Sequence, residues 1–274
     1  KELNENLAAK LKQFEQDLLS EKGISWPRLI QDIERSLVKL GVNPAGPEAS
    51  VKKINKEPWW RYYKPPEGSV WEPLDPSIAA EGQEKIREKL VKWVARAIFD
   101  NGGRDLESLG VAVLSPKNIA VSRHGIESNN FNHILVNCLR ILGRKKLYEG
   151  ADGYRGSDFP LDLRVYLEKV ALKVNRTSDQ LKEDVEDSLS TQGIIEKGIW
   201  VIKTHNVAGL NLSLVSEGRN PLARCEHCAT LTLNSVLEVC TERRCASSSF
   251  RIEGEDYSNY YAWLSREGVH RMRV

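Results

Sequence analysis

The chain has 274 residues, 41% of them hydrophobic and 28% charged, which is ordinary for a globular protein and long enough for more than one domain. The chain has 40 basic and 38 acidic residues, which gives a net charge of +2. This balance excludes a protein dedicated to coating nucleic acid, whose basic residues would be in clear excess, and leaves only local patches for such contacts. Apolar runs extend over only a few residues, which argues against a membrane-spanning helix and, with no signal-peptide pattern at the start, predicts a soluble cytoplasmic protein with reduced thiols.

Residues 1–80 are predicted to form a helical segment with a loop rich in proline and tryptophan. Leucines recur at helical spacing from Leu3 to Leu18, and a second amphipathic helix begins after Ser25 with Pro27 in its first turn. The loop that follows contains the sequence EPWWRYYKPPEGSVWEP. A loop this aromatic is expected to pack against a neighbouring part of the molecule rather than to be disordered.

Residues 81–150 are predicted to form a helical subdomain. The first helix, 82–99, is expected to bury Trp93 on its apolar face. The apolar residues of the second helix follow helical spacing on one face: Phe131, Ile134, Leu135, Cys138, Leu139 and Leu142. The position of Cys138 on that face indicates a small core side chain rather than a reactive thiol.

Residues 151–218 resemble a winged-helix unit in the order of their elements. These elements are two helices and two β-rich runs, at 161–174, 178–191, 198–203 and 209–215. Thr177 and Gln180 predict a capping box at the start of the second helix, and Gly193 predicts its end. The two β-rich runs are joined by a short polar segment and predict a hairpin.

The second helix of this unit carries too much negative charge to read DNA. Five acidic side chains accompany a single lysine, Lys182, in the sequence SDQLKEDVEDSLS. Because the phosphates of DNA would repel such a helix, we expect the unit to serve in packing or in contact with another protein.

Residues 219–252 contain four of the five cysteines, in the sequence RCEHCATLTLNSVLEVCTERRC. The spacing is C-x2-C, then eleven residues, then C-x4-C, and two such turns can close a tetrahedral site around one ion. The predicted ligands of a structural Zn2+ are Cys225, Cys228, Cys240 and Cys245. The apolar segment between the two pairs suits a small hairpin, so we expect a zinc-ribbon-like knuckle that stabilises the fold and performs no chemistry.

Other interpretations of these cysteines remain open at this point. His227 lies inside the first pair and could replace a thiolate. Disulfides would require an oxidising compartment, which nothing else in the sequence indicates. A thioredoxin-like redox pair would require a strand-to-helix turn in a βαβ context, and a catalytic zinc would require an open position beside an acid or base.

Two basic clusters are candidates for contact with nucleic acid. The first lies at the end of the helix that carries Cys138 and consists of Arg140, Arg144, Lys145 and Lys146. The second surrounds the cysteines and consists of Arg219, Arg224, Arg243, Arg244 and Arg251. The proposed contact residues are Arg144, Lys145, Lys146, Arg224, Arg243 and Arg244. For both clusters the alternative is an ordinary solvated face.

Residues 253–274 are predicted to form a short aromatic helix and a strand that leads toward a missing domain. Met272 is the single methionine and the chain does not begin with one, so we expect a segment of a larger protein. Phosphate-binding loops, nucleophile elbows and zinc-protease motifs are absent from the sequence, which therefore carries no recognisable active site. The fold class predicted for the whole is α+β and predominantly helical, with a helical insert, a winged-helix-like unit and a zinc-ribbon-like knuckle.

Several phrases resemble stretches of the large superfamily 2 DEAD/DEAH-box helicases of bacterial defence systems, of the Druantia and DISARM type. They occur in the family's order: IFDNGGRDLESLGVAVL at 98–114, CLRILGRKKLYEG at 138–150, the cysteine cluster, and DYSNYYAWLS with VHRMRV within 256–274. The resemblance implies a position between the two motor lobes of the parent chain, with the sites for ATP and Mg2+ outside this segment.

Two hypotheses follow from these features. In the first, the chain is an accessory region of a DNA helicase that guides or clamps DNA, with arginines of the knuckle at phosphates and Tyr260, Tyr261 or Trp263 as stacking platforms. In the second, the chain is a scaffold that docks a partner subunit through the acidic helix 178–191 and the Trp-rich loop 58–74, and zinc is purely structural. A free-standing zinc enzyme is a third possibility, and it would require an open position on the metal.

Overall fold

The computed structural model combines five α-helices with small antiparallel sheets, and it is about half helical over the residues that it describes. These residues are 23–46, 53–54, 56–65, 72–99, 106–107, 109–110, 112–117, 125–151, 158–205, 207–214, 223–232 and 236–252. The predicted helix from Leu3 to Leu18 and the predicted elements at 253–274, with their three aromatic candidates, lie outside them. None of the helices in the described ranges is both long enough and apolar enough to span a bilayer.

The helices and strands are numbered here in chain order. The helices are α1 (Trp26–Lys39), α2 (Pro76–Phe99), α3 (Ser128–Arg144), α4 (Leu161–Lys173) and α5 (Ser178–Thr191). The strands are β1 (Ile24–Ser25), β2 (Lys53–Ile54), β3 (Glu57–Pro58), β4 (Ala112–Pro116), β5 (Leu210–Leu214), β6 (Ala223–Cys225), β7 (Leu231–Thr232) and β8 (Phe250–Ile252).

Helix α3 lies at the centre of the main core. All six residues of its predicted apolar face are buried with no exposed surface, which confirms that prediction. The opposite side of α3 is buried as well, because β4 and α4 pack against the helix. The side-chain amide of Asn137 on α3 donates to the hydroxyl oxygen of Tyr166 on α4 at 3.0 Å, so these two buried polar groups are hydrogen-bonded to each other.

The pair of helices predicted at 161–191 is confirmed as α4 and α5. The Gln180 backbone N–H donates to Thr177 Oγ1 at 3.3 Å and the Thr177 backbone N–H donates to Gln180 Oε1 at 3.4 Å, which completes the predicted capping box. Gly193 ends α5 in the left-handed conformation at φ +68, and the N–H of Ile194 donates to the carbonyl of Leu189 at 2.9 Å.

The predicted hairpin between 198–203 and 209–215 is wrong. The second run does form a strand, β5, but β5 pairs antiparallel with β4 and with β1, in the sheet order β1-β5-β4. The first run makes only isolated bridges, and Trp200, Val201 and Ile202 are all buried in the core. Such a continuous apolar run fills a core equally well without a ladder, so its composition cannot select a strand partner.

The Trp-rich loop was predicted to pack against a neighbouring part of the molecule, and its described residues pack onto α2. Residues Trp59–Tyr62 form a short 3-10 helix, and the Tyr62 ring is buried against Ile86 and Ala45. The hydroxyl of Tyr63 donates to the buried carboxylate of Glu34 at 2.9 Å, which also ties the loop to α1. The described part of the loop, at Tyr62 and Tyr63, is therefore anchored on two helices.

The predicted burial of Trp93 is wrong, because 38% of this side chain is exposed. The stripe that α2 turns toward the core includes Ile86, Leu90, Val91, Ala95, Ile98 and Phe99. Trp93 lies at the edge of that stripe, beside the backbone of Gly46. A tryptophan tolerates this position because its large ring can be partly covered and partly solvated.

Gly82 makes the close approach of the Trp-rich loop to α2 possible. A Cβ at this position would lie 2.0 Å from the Tyr62 ring. We expect Gly82→Ala to lower the free energy of unfolding by about 1–2 kcal/mol. The buried Tyr62 ring must shift, and the energetic cost of this shift exceeds the gain in helix propensity. In a Tyr62→Ala background the same change should instead be stabilising. Urea denaturation of the four proteins of this double-mutant cycle measures the coupling, and equal effects in both backgrounds would contradict the steric explanation.

Candidate metal centre

The cysteine cluster is built on a small antiparallel sheet, named here the metal sheet, in which β6 lies between β7 and β8. Cys225 ends β6 and begins the first cysteine turn, residues 225–228. The turn is closed by its own backbone, since the N–H of Cys225 donates to the carbonyl of Thr230 at 3.0 Å and the N–H of Ala229 donates to the carbonyl of Cys225 at 2.9 Å. The geometry of the first turn is therefore fixed within the sheet.

The second cysteine turn, residues 240–245, lies in the irregular segment between β7 and β8. Leu237 and Glu238 precede it with positive φ angles of 54 and 55. Within the turn, the N–H of Cys245 donates to the carbonyl of Glu242 at 3.1 Å. The turn contains no helix or strand, so its shape depends on contacts from outside.

The four sulfur atoms converge on one point. All of the ligand atoms lie within 4.8 Å of one another, with 3.6 Å between the Sγ atoms of Cys225 and Cys245 and 3.5 Å between those of Cys228 and Cys240. A tetrahedral ion with metal–sulfur distances of about 2.3 Å would place its ligands about 3.8 Å apart. The four cysteines can therefore hold a metal ion.

Burial separates the cluster from solvent. Cys225, Cys240 and Cys245 are buried, Cys228 is half-buried, and the Phe250 side chain packs against them. Burial alone raises the pKa of Cys225, but hydrogen bonds from the backbone N–H groups of Cys228 and His227 outweigh it and lower the pKa to about 6. Burial raises the pKa of Cys240 and of Cys245. An incoming ion would meet one readily ionised thiol, that of Cys225, and displace protons from Cys240 and Cys245.

The alternative interpretations of the cysteines fit this geometry less well. His227 is exposed, and the cluster found in the described ranges consists of the four cysteines alone. All four are free thiols, and the nearest sulfur neighbours lie in different turns. The first cysteine turn joins two strands of one sheet, whereas a thioredoxin-like pair begins a helix.

The structure separates the six predicted nucleic-acid contacts into two groups. Arg144 Nη1 lies 2.5 Å from Glu242 Oε1, Lys145 Nζ lies 3.1 Å from Asp162 Oδ2, and Arg224 Nη1 donates to the carbonyl of Ala229 at 3.1 Å. These three cations support the fold itself. The remaining candidates are Lys146, Arg243 and Arg244, and all six side chains are exposed or half-buried.

Arg243 and Arg244 lie between the two cysteines of the second turn. Arg243 is half-buried and Arg244 is exposed. In the part of the chain that the structure describes, neither guanidinium forms an ion pair with a carboxylate.

Lys169 is a residue of the site that the sequence did not indicate. It lies on α4, and its ammonium donates to three carbonyl oxygens of the second cysteine turn, at 3.3 Å to Cys240, 2.8 Å to Glu242 and 2.7 Å to Cys245. These acceptors are more than 70 residues away along the chain, and they are main-chain atoms. No side-chain pattern could have identified this contact.

Comparison of the chain with protein-family models, with curated proteins and with solved structures finds no match.

Proposed function

We propose that the chain is a non-catalytic accessory region of an ATP-dependent DNA helicase or translocase, in which a structural zinc centre fastens a small basic sheet to a helical core. The observation that carries the proposal is the convergence of four cysteine sulfurs within 4.8 Å of one another, on two separate turns. The resemblance to defence-system helicases also supports the proposal. It implies that the motor lobes and the sites for ATP and Mg2+ lie elsewhere in the parent chain.

Zinc is the ion that best fits the donor set. Four thiolates at tetrahedral spacing are typical of structural zinc, whereas calcium, magnesium and manganese prefer oxygen ligands. With all four positions taken by sulfur, no position remains for a water or a substrate, which disfavours a zinc enzyme. The three-stranded metal sheet, with one cysteine turn between β6 and β7 and the other between β7 and β8, supports a zinc-ribbon-like interpretation.

The contact with DNA is proposed for the second cysteine turn. Arg243 and Arg244 project from a segment that Lys169 and Arg144 tie to two helices, so a phosphate bound there would be held against the body of the protein. Helix α5 is not proposed as a reading element. Its Glu186 and Asp187 are occupied by Gly198 N–H and Lys197, and the remaining acidic residues would repel phosphates.

Substitution of both arginines tests this proposal. We expect Arg243→Ala/Arg244→Ala to weaken binding to DNA and to flatten the dependence of log K on log salt by about 1 to 2, because each lost phosphate contact removes about 0.7 to 0.9 from the slope. Arg28→Ala/Arg35→Ala removes the same charge from α1 and serves as the matched control. Fluorescence anisotropy over a salt series, with single- and double-stranded DNA, measures both variants.

Identical slopes in the two variants would exclude the second cysteine turn as a phosphate contact. They would favour the second candidate, a scaffold that docks a partner subunit. The observations that support a scaffold are the exposure of Trp60 in the Trp-rich loop, at 37%, and the exposed acidic side chains of α5 such as Asp179 and Glu183. A scaffold of this kind would bind no DNA even at low salt.

A further inference from the structure

The Lys169 ammonium fills its hydrogen-bonding capacity on the second cysteine turn. An ammonium has three N–H donors, and three carbonyl oxygens accept from Lys169, those of Cys240, Glu242 and Cys245. Two of these carbonyls belong to Cys240 and Cys245, which are candidate metal ligands, and the third belongs to Glu242, which lies between them in the sequence. The side chain therefore sets the path of the backbone that carries two of the four sulfurs.

The two cysteine turns differ in what holds them. The first turn is closed by hydrogen bonds within the metal sheet, including the one from Arg224 to the carbonyl of Ala229. The second turn is held from the helical core, by Lys169 on α4 and by Arg144 at the end of α3, whose guanidinium pairs with Glu242. Correct spacing of the four sulfurs thus depends on docking of the turn onto α3 and α4.

Charge favours the same arrangement. Four thiolates around one divalent ion leave two net negative charges in a largely buried site. Within the described residues Lys169 forms no ion pair with a carboxylate, so its positive charge is directed to the carbonyl oxygens of Cys240 and Cys245. A cation in this position stabilises the loaded centre more than the empty one.

We propose that Lys169 is the positioning residue of the metal centre and that it links metal occupancy to the docking of the metal sheet on α4. The inference rests on the proposed structural zinc. Because linkage is reciprocal, a clamp that raises the affinity for metal is itself tightened when metal binds.

The test compares zinc affinity in competition with a chromophoric chelator. We expect Lys169→Met to bind zinc about 10- to 100-fold more weakly, the usual cost of removing a group that supports metal ligands. Lys173→Met, one turn further along the same helix at an exposed position, is the matched control and should be unchanged. Lys169→Arg retains a cation with several donors and should recover most of the loss.

A second measurement uses the unaltered protein and so does not depend on a variant that folds. Amine-directed labelling followed by mass spectrometry should leave Lys169 protected when zinc is bound and label it at least several-fold faster after chelation, whereas Lys173 should react equally in both states. Equal labelling of Lys169 in the two states, or unchanged zinc affinity in Lys169→Met, would overturn the positioning role. Absence of zinc binding by the unaltered chain would instead overturn the proposed function.

Discussion

Cys225→Ser is expected to lower zinc affinity by more than about 100-fold, because even the loss of a supporting group around a metal costs about 10- to 100-fold. The unaltered chain should carry one zinc ion, with four sulfur ligands in its X-ray absorption spectrum. Binding of structural zinc contributes about 10–16 kcal/mol in isolated zinc-finger peptides, a free energy that a sheet of two- and three-residue strands cannot replace. The metal sheet should therefore unfold while the helical core remains folded.

Hydrogen exchange locates this effect. Amides of β6 and of the second cysteine turn should lose their protection in Cys225→Ser, whereas those of α3 should keep it, since α3 is buried among other helices and β4. Cys138→Ala is the matched control. Cys138 is buried in α3, where burial raises its pKa, and it lies outside the sulfur cluster.

The control variant should bind zinc as tightly as the unaltered chain and lose only some packing energy. Retention of zinc at unaltered affinity in Cys225→Ser would contradict a four-sulfur centre. Uniform loss of protection throughout α3 in that variant would contradict a metal sheet that unfolds separately from the core.

Arg140→Met is expected to lower the free energy of unfolding by about 3–5 kcal/mol, because removing one partner of a buried ion pair leaves the other charge in the core. Arg140 is 4% exposed on α3, and its Nε lies 3.5 Å from Oε1 of Glu107, which is 9% exposed. The Nε and Nη1 atoms of Arg140 are buried without a hydrogen bond. This pair is thus costly to break and poorly satisfied while intact.

The double variant Arg140→Met/Glu107→Leu distinguishes the cost of keeping the Glu107 carboxylate in the core without Arg140 from a loss of packing. Replacing both partners by apolar residues of similar volume should restore most of the lost stability. Arg35→Met is the matched control for an exposed pair, since Arg35 faces Asp32 at 3.8 Å on the surface of α1, and it should change stability by less than about 1 kcal/mol. Urea denaturation followed by tryptophan fluorescence measures all of them, and equal destabilisation by the single and double variants would refute the explanation.

The position of Arg140 was not evident from the sequence. It belongs to a segment, 140–146, in which four of the seven residues are basic. Helix α3 is covered on nearly all sides, and Arg140 falls on a covered side while Arg144 reaches the second cysteine turn. Burial of this second face depends on β4 and α4, which no period within α3 can indicate.

Local signals in the sequence were sufficient for the elements whose information is local. Helical periodicity identified the buried face of α3, the pair Thr177 and Gln180 identified the start of α5, and Gly193 its end. The spacing of the cysteines identified the residues that converge on one site. Each of these signals lies within a few residues or turns of the structure that it specifies, so it can be read before the chain folds.

Tertiary structure alone decided which distant segments meet. The sequence predicted the strand at β5 but paired it with 198–203, whereas its partner β4 lies about a hundred residues earlier. Lys169 contacts the metal centre through main-chain carbonyls. Every residue type has the same carbonyl group, so the amino-acid sequence does not indicate which carbonyls Lys169 will bind. Propensity and spacing act over one element, while pairing between elements is decided by which apolar faces can be buried together in three dimensions.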